Sequence, residues 1–297
     1  MPFRDVLLAL VVVLIWGANF VAIKWGVALF PPLLLTALRY CWAVLPAIFF
    51  VKPPRTSVRI VIFYGLAIGF AQFGLLFMAI KLGMPAGLAS LVLQLQAFFT
   101  MAMAVLVLGE RVSPVQLAGA AVALIGIAAI GVEHLEVTAL VPLGMSIAAA
   151  FFWGVGNILT KRAGQVDMLS FVVWSSLVPP LPLLALSLIF EGPAAISTSL
   201  AAITPFGIGI IAFNGWAATL IGYGLWSVLM KRHKASAVAP FSLLVPVLGV
   251  AFGVMLLGEH LTLVEVLGSV LVFLGLLTNV FGPRLLHRAP AMTVKAG

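Results

Sequence analysis

Two short stretches decide the fold: Leu108-Gly109-Glu110-Arg111 and Leu257-Gly258-Glu259-His260. Each closes a long apolar run, and each is followed at the same distance by a further run carrying two glycines. Working outward from the pair, the correspondence continues without a gap. Ala86, Gly109, Glu110, Gly119 and Gly126 fall on Ala235, Gly258, Glu259, Gly268 and Gly275 at one offset. A second echo lies upstream. Trp16-Gly17-Ala18-Asn19 with Lys24 is matched by Trp153-Gly154-Val155-Gly156-Asn157 with Lys161, at the same Trp-to-Lys spacing. The chain is therefore read as two copies of one unit, residues 1–137 and 138–297, with a short tail closing the second.

The solvent of that unit follows from composition. Of 297 residues 64% are hydrophobic and 8% are charged, whereas a soluble domain carries roughly 25% charged residues. So few charges cannot cover a water-facing surface. Ten apolar runs are each long enough to cross a bilayer as a helix. They lie near Val6–Ile23, Leu33–Val51, Val58–Ile80, Pro85–Leu108, Val115–Val132, Leu140–Leu159, Leu169–Phe190, Ile203–Met230, Ala235–Leu257 and Leu263–Phe281. Turn and stop signals separate them, among them Phe30-Pro31-Pro32, Lys52-Pro53-Pro54-Arg55 and Glu191-Gly192-Pro193. The runs lack period-two alternation and exceed strand length, which excludes a β-barrel. Pro179, Pro180 and Pro182 must kink or shorten the seventh run. The first run is too long for a signal peptide and recurs later, so it is read as the first helix.

Orientation follows from the cations. With the N-terminus inside, 13 of the 16 Lys and Arg fall in inner segments. Lys24 and Lys81 fall outside with the acidic residues Glu133, Glu136, Glu191 and Glu259, and Arg39 is intramembrane. Both termini are then cytoplasmic. Five helices per copy is an odd number, so the second copy inserts upside down. The predicted fold is all-α: ten transmembrane helices as two inverted five-helix repeats around a central cavity. That is an architecture of secondary transporters, with substrate held near the midplane between the halves.

The residues quoted so far carry a resemblance. Trp16-Gly17-Ala18-Asn19-Phe20 with Lys24, Pro32 with Leu38-Arg39-Tyr40, and the paired Leu-Gly-Glu turns resemble the EamA-type drug/metabolite transporter family over nearly the whole chain. Ala71-Gln72-Phe73, the run from Gly83 to Gln94, Ser242-Leu243-Leu244-Val245-Pro246 and Asn279-Val280-Phe281-Gly282 are similar to its cysteine/O-acetylserine exporter subgroup. The resemblance implies ten helices, a central cavity and export of amino acids or related metabolites across the inner membrane.

Polar groups inside apolar spans are costly against lipid and mark candidate function. Asn19 and Asn157, one turn from Trp16 and Trp153, are read as lining the cavity from equivalent helices. Gln94 lies on a stripe with Ser90, Ala97 and Met101. Gln94 and Gln96 cannot share a helical face, so at least one is expected to pack against another helix. Gln72 with Phe73 and Phe77 offers an amide beside aromatic walls, suited to a zwitterion of modest size. Asn214 and Tyr223 complete the candidate substrate-binding set of Trp16, Asn19, Gln72, Phe77, Gln94, Trp153, Asn157, Asn214 and Tyr223. Arg39 is read as a structural group or a carboxylate anchor. Its spread among relatives that carry varied substrates favours the structural role. The third, fourth, eighth and ninth helices, with Pro85, Pro240, Pro246 and small-residue spacings such as Gly249 to Gly253, are the expected moving walls.

Absences narrow the class further. No Gly-x-Ser-x-Gly, His-Glu-x-x-His or P-loop pattern occurs, so no catalytic residues, metal, cofactor or ATP-driven cycle is expected. The lone Cys41 excludes an intrachain disulfide. The net charge of +8 is topological rather than a nucleic-acid surface. No carboxylate lies deep in a span, which points to facilitated transport or exchange by alternating access. The partners are then a small molecule and the lipid bilayer. A transporter of phosphorylated or nucleotide-linked sugars is the alternative, weakened by the scarcity of buried cations to meet phosphate.

Overall fold

The computed structural model describes residues 2–109, 112–133, 137–233 and 238–286. Glu110, Arg111, Glu136, Lys234, Ala235, Arg288 and Lys295, which enter the sequence argument, lie outside them. The described residues form helices and connecting turns, with no strand among them. Seven helices are long and apolar enough to cross a membrane: α1 (Phe3–Leu29), α2 (Pro32–Phe49), α3 (Val58–Lys81), α4 (Ala86–Leu108), α6 (Leu140–Ala163), α7 (Met168–Glu191) and α8 (Pro205–Arg232). Shorter apolar helices include α5 (Pro114–Ile130), α9 (Phe241–Leu257) and α10 (Leu263–Asn279). The chain is thus a multi-pass helical membrane protein.

Several helices are interrupted where the sequence permits it. In α3 the backbone widens to a π-helix over Gly65–Gln72, and in α8 over Phe213–Ile221. Within the second of these the Thr219 hydroxyl donates to the Asn214 carbonyl at 2.9 Å, reaching back five residues. Such widenings concentrate at functional positions. In α4 a 3-10 turn at Leu93–Leu95 separates two α-helical pieces, and α9 is entered through another at Ala239–Leu243. The proline cluster breaks α7 as expected. Its first piece ends at Ser175 and its second begins at Pro180.

Packing is closest where glycines face backbone. Along α5 and α10, a Cβ added at Gly119 would lie 2.7 Å from the Gly275 carbonyl oxygen. One added at Gly126 would lie 2.5 Å from that of Gly268, and both relations hold in reverse. Small residues let backbones meet in this way, since lipid supplies no hydrophobic drive between helices. Gly249 similarly gives α9 room against Ser90 of α4, and the Ser90 hydroxyl is 3.4 Å from the Pro246 carbonyl. That carbonyl is thereby engaged by a neighbouring helix.

The two ends of the bundle are closed differently. At the end holding the N-terminus, Arg232 donates to Asp5 at 3.2 Å and the His233 ring lies 2.6 Å from the same carboxylate. Lys231 pairs with Asp167, which also caps α7 by accepting from the Ser170 N–H. At the opposite end carboxylates meet helix N-termini. Glu191 accepts from Leu33 N (2.7 Å) and Leu34 N (3.1 Å) at the start of α2. Glu259 accepts from Ala86 N (2.5 Å) and Gly87 N (2.9 Å) at the start of α4. These N–H groups have no partner inside their own helices, and the helix dipole favours an anion there.

Candidate functional site

A cavity of about 280 Å³ lies within the bundle. From α1 come Trp16 and Asn19, one turn apart on one face. The Trp16 indole N–H donates to the Ala218 carbonyl at 3.0 Å, which fixes the ring beside Tyr223 and Trp226, each 5.3 Å away between centroids. From α2 comes Arg39, 2% exposed. Its guanidinium lies 3.8 Å from the centre of the Phe73 ring, and one Nη donates to Asn214 at 3.5 Å. α3 contributes Tyr64, Gln72 and Phe73, α4 contributes Gln94 and Gln96, and α6 contributes Trp153, Asn157 and Thr160. Ser242 and Val245 of α9 close the wall.

Hydrogen bonding divides these groups in two. Asn157 uses both amide N–H donors, giving one to Gln96 at 2.6 Å and one to the Thr100 hydroxyl at 3.0 Å. Asn19 Oδ1, Arg39 Nε and Gln72 Nε2 are buried without a partner. All three side chains line the cavity. Buried polar atoms are normally paired, and leaving one unpaired costs about 1–3 kcal/mol. Among the described residues Arg39 is also the one charged side chain on the wall. A smaller chamber of about 10 Å³ adjoins at Arg39, Tyr64, Phe73 and Tyr223, and is bounded beyond them by Tyr40, Ser175 and Thr219.

Of the residues singled out in the sequence, Trp16, Asn19, Gln72, Gln94, Trp153, Asn157, Tyr223 and Arg39 stand on the wall. Two do not. Phe77 is fully buried, edge-on to Phe73, because it sits one turn beyond the π-helical stretch and faces the core. Asn214 is fully buried behind Arg39, its amide N–H given to the Ile210 carbonyl at 2.9 Å. Gln94 and Gln96 both reach the cavity, and Gln96 also meets α6 as expected of one of the pair, accepting from Asn157 at 2.6 Å. Their separation onto different faces presumes an unbroken α-helix, and the 3-10 turn between them removes that register. Besides the four helices expected to move, the walls draw on α1 and α6, which carry the expected cavity-lining Asn19 and Asn157, and on α2 through Arg39. Tyr64 and Thr160 were not singled out. Tyr64 carried a signal: it is one of three tyrosines and directly precedes Gly65 inside an apolar run.

No group of three or more potential metal ligands occurs among the described residues. An apolar helical bundle enclosing a chamber of metabolite size, mostly apolar with a few convergent polar groups, is the arrangement of a small-molecule membrane transporter. The chain belongs to the EamA-like transporter family, which matches residues 4–132 and 141–281. It is similar to a probable amino-acid metabolite efflux pump of Salmonella typhimurium, at 46% identity over 97% of this chain and 99% of that one. A protein of the same description from Escherichia coli is 45% identical over 96% and 97%. A probable terminal-alkyne amino-acid exporter of Streptantibioticus cattleyicolor is 26% identical over 83% of each chain. A solved crystal structure superposes with a TM-score of 0.62 over 98% of this chain and 100% of its own, at 20% identity, and shares the fold.

Proposed function

We propose that the protein exports small metabolites, amino acids or their close derivatives, by alternating access without ATP. The observation that carries this reading is the cavity itself. Amides and indoles from several helices converge on it, and three buried polar atoms there have no partner. A ligand with a carboxylate and an N–H would complete them. The names of the relatives at 46% and 45% identity point to the same substrate class.

The architecture that serves this function is two inverted five-helix repeats, residues 1–137 and 138–297, in an inner membrane with both termini cytoplasmic. Its support is the glycine seam. Gly119 meets Gly275 while Gly126 meets Gly268. In repeat terms, position one of each copy meets position two of the other, the pattern of a two-fold pseudo-axis. The family matches twice, once in each half, over residues 4–132 and 141–281, and the Lys and Arg bias supplies the orientation.

Asn19, Gln72, Gln94, Trp16, Trp153, Asn157 and Tyr223 form the proposed binding set, with Arg39 beneath them. The test is efflux of labelled cysteine, O-acetylserine, threonine and phenylalanine, and of their N-acetylated forms, from proteoliposomes without a pH gradient. Efflux of at least one, reduced about tenfold by Asn19→Ala as one lost hydrogen bond implies, is the expected result. No efflux of any compound, with or without a proton gradient, would refute the reading.

A further inference from the structure

We propose that the preferred substrate is a monoanion, an amino acid whose nitrogen carries no charge, such as an N-acyl amino acid, and that the membrane potential drives its exit. This rests on the export reading above and refines its substrate. The amide-and-aromatic walls alone would suit a zwitterion. The charge distribution does not.

Arg39 is 2% exposed, and no carboxylate among the described residues pairs with it. Its polar neighbour is the neutral Asn214, at the long distance of 3.5 Å, and its flat face rests on Phe73. Nε has no partner, although the side chain lines the cavity. No Asp or Glu among the described residues joins it on the wall. A buried charge is stabilised by an opposite charge and hydrogen bonds, and breaking such pairing is strongly unfavourable. Here the missing anion has one open place, the cavity. A carboxylate there would sit against the side chains of Arg39 and Gln72, whose buried Nε and Nε2 are donors without partners and become its donors once the side chains turn toward it.

The second half of the argument concerns nitrogen. In a chamber of about 280 Å³, an ammonium on the same small molecule stays within several ångströms of the guanidinium. It would restore the uncompensated positive charge that the carboxylate had just cancelled, in a low-dielectric setting where like charges repel strongly. A neutral N–H avoids that cost. It also suits Asn19 Oδ1, an acceptor without a donor. Loaded with a monoanion, the site is neutral.

Direction then follows without proton coupling. Moving one negative charge out of an inside-negative compartment is favoured by the potential. The equilibrium outside-to-inside ratio is about 50-fold at 100 mV, the factor that corresponds to about 2.3 kcal/mol per charge. A wall without carboxylates can therefore still support concentrative efflux.

The experiment uses the full chain in proteoliposomes with an inside-negative potassium diffusion potential, preloaded with labelled alanine or N-acetylalanine. N-acetylalanine efflux should accelerate with the potential and approach that ratio, while alanine moves slowly and without potential dependence. Alanine efflux as fast as that of N-acetylalanine, with neither responding to potential, would overturn the proposal. Should neither compound move, the export reading fails for them, and binding decides the charge question separately. Trp16, Trp153 and Trp226 line the cavity, so tryptophan fluorescence reports occupancy. Quenching by N-acetylalanine but not alanine supports the monoanion; equal quenching or none overturns it. Arg39→Lys keeps the charge and should keep the preference with about tenfold weaker binding, since it loses the fork. A preference undiminished in Arg39→Gln would sink the role of this residue.

Discussion

The α5–α10 seam and the cavity wall are built from the same apolar chain and arrive at opposite outcomes. Along the seam Gly119, Gly126, Gly268 and Gly275 bring two backbones together until no added methyl fits. On the cavity wall, Trp16, Trp153, Trp226, Tyr64 and Tyr223 hold the helices apart around a chamber. Lipid drives neither arrangement, because it solvates leucine as well as a neighbouring helix does. Side-chain size decides which helices close. The polar inventory differs in the same sense: the wall keeps three buried atoms unpaired, whereas the helix starts at Leu33 and Ala86 have theirs answered by Glu191 and Glu259.

The largest way to break this comparison is to fill the seam. Gly126→Leu would drive a side chain into the Gly268 carbonyl and Leu271. Overpacking against backbone should cost about 3 kcal/mol or more, read as loss of the folded peak in detergent chromatography or a large fall in unfolding temperature. A normal unfolding temperature would show that the seam is not tight.

The wall should respond in the other sense. Gln72→Ala removes a buried donor that has no partner, so stability should hold or rise slightly, while transport falls about tenfold through the lost ligand bond. Equal losses of stability and transport would make Gln72 a packing residue. The contrast is sharpened by Phe77→Leu, which lies behind the wall and should lower stability by about 1 kcal/mol with transport retained.

The helix ends should respond in stability alone. Glu259→Ala strips the first turn of α4 of its cap and should cost about 1–2 kcal/mol by thermal unfolding. The smallest belongs to Asp167→Asn. The bond from Lys231, then the Ser170 N–H, holds the Asp167 carboxyl below its ordinary range. A depressed carboxylate contributes above its unfolded pKa of about 3.9 and loses that contribution as pH falls through the lower folded value. Stability from this pair should therefore be flat from pH 5 to 8 and fall only in stronger acid. The pair is largely exposed, so its removal should cost less than about 1 kcal/mol. A steep stability change near neutrality that vanishes in Asp167→Asn would contradict this assignment.

Much of the site was legible because intramembrane polar residues are few. Trp16, Asn19, Gln72, Gln94 and Asn157 stood out against an apolar background, and each reaches the wall. Asn214 stood out equally and does not, since a neighbouring turn and Arg39 consume its amide. Composition marks a polar group as expensive; only its neighbours decide whether water, protein or ligand meets that expense. The Gln94 and Gln96 pair makes the same point for backbone, because a local 3-10 turn changes which way residues face.

By itself, the sequence determined the solvent, the helices and the kinship of the two halves, because apolar length, proline punctuation and repeated glycines are local or periodic signals. The tertiary structure alone decided which polar atoms stay unpaired, that Glu191 and Glu259 cap distant helices, and that Arg39 faces a cavity without a carboxylate. Those depend on contacts between residues far apart in the chain, for which hydrophobic periodicity carries no information.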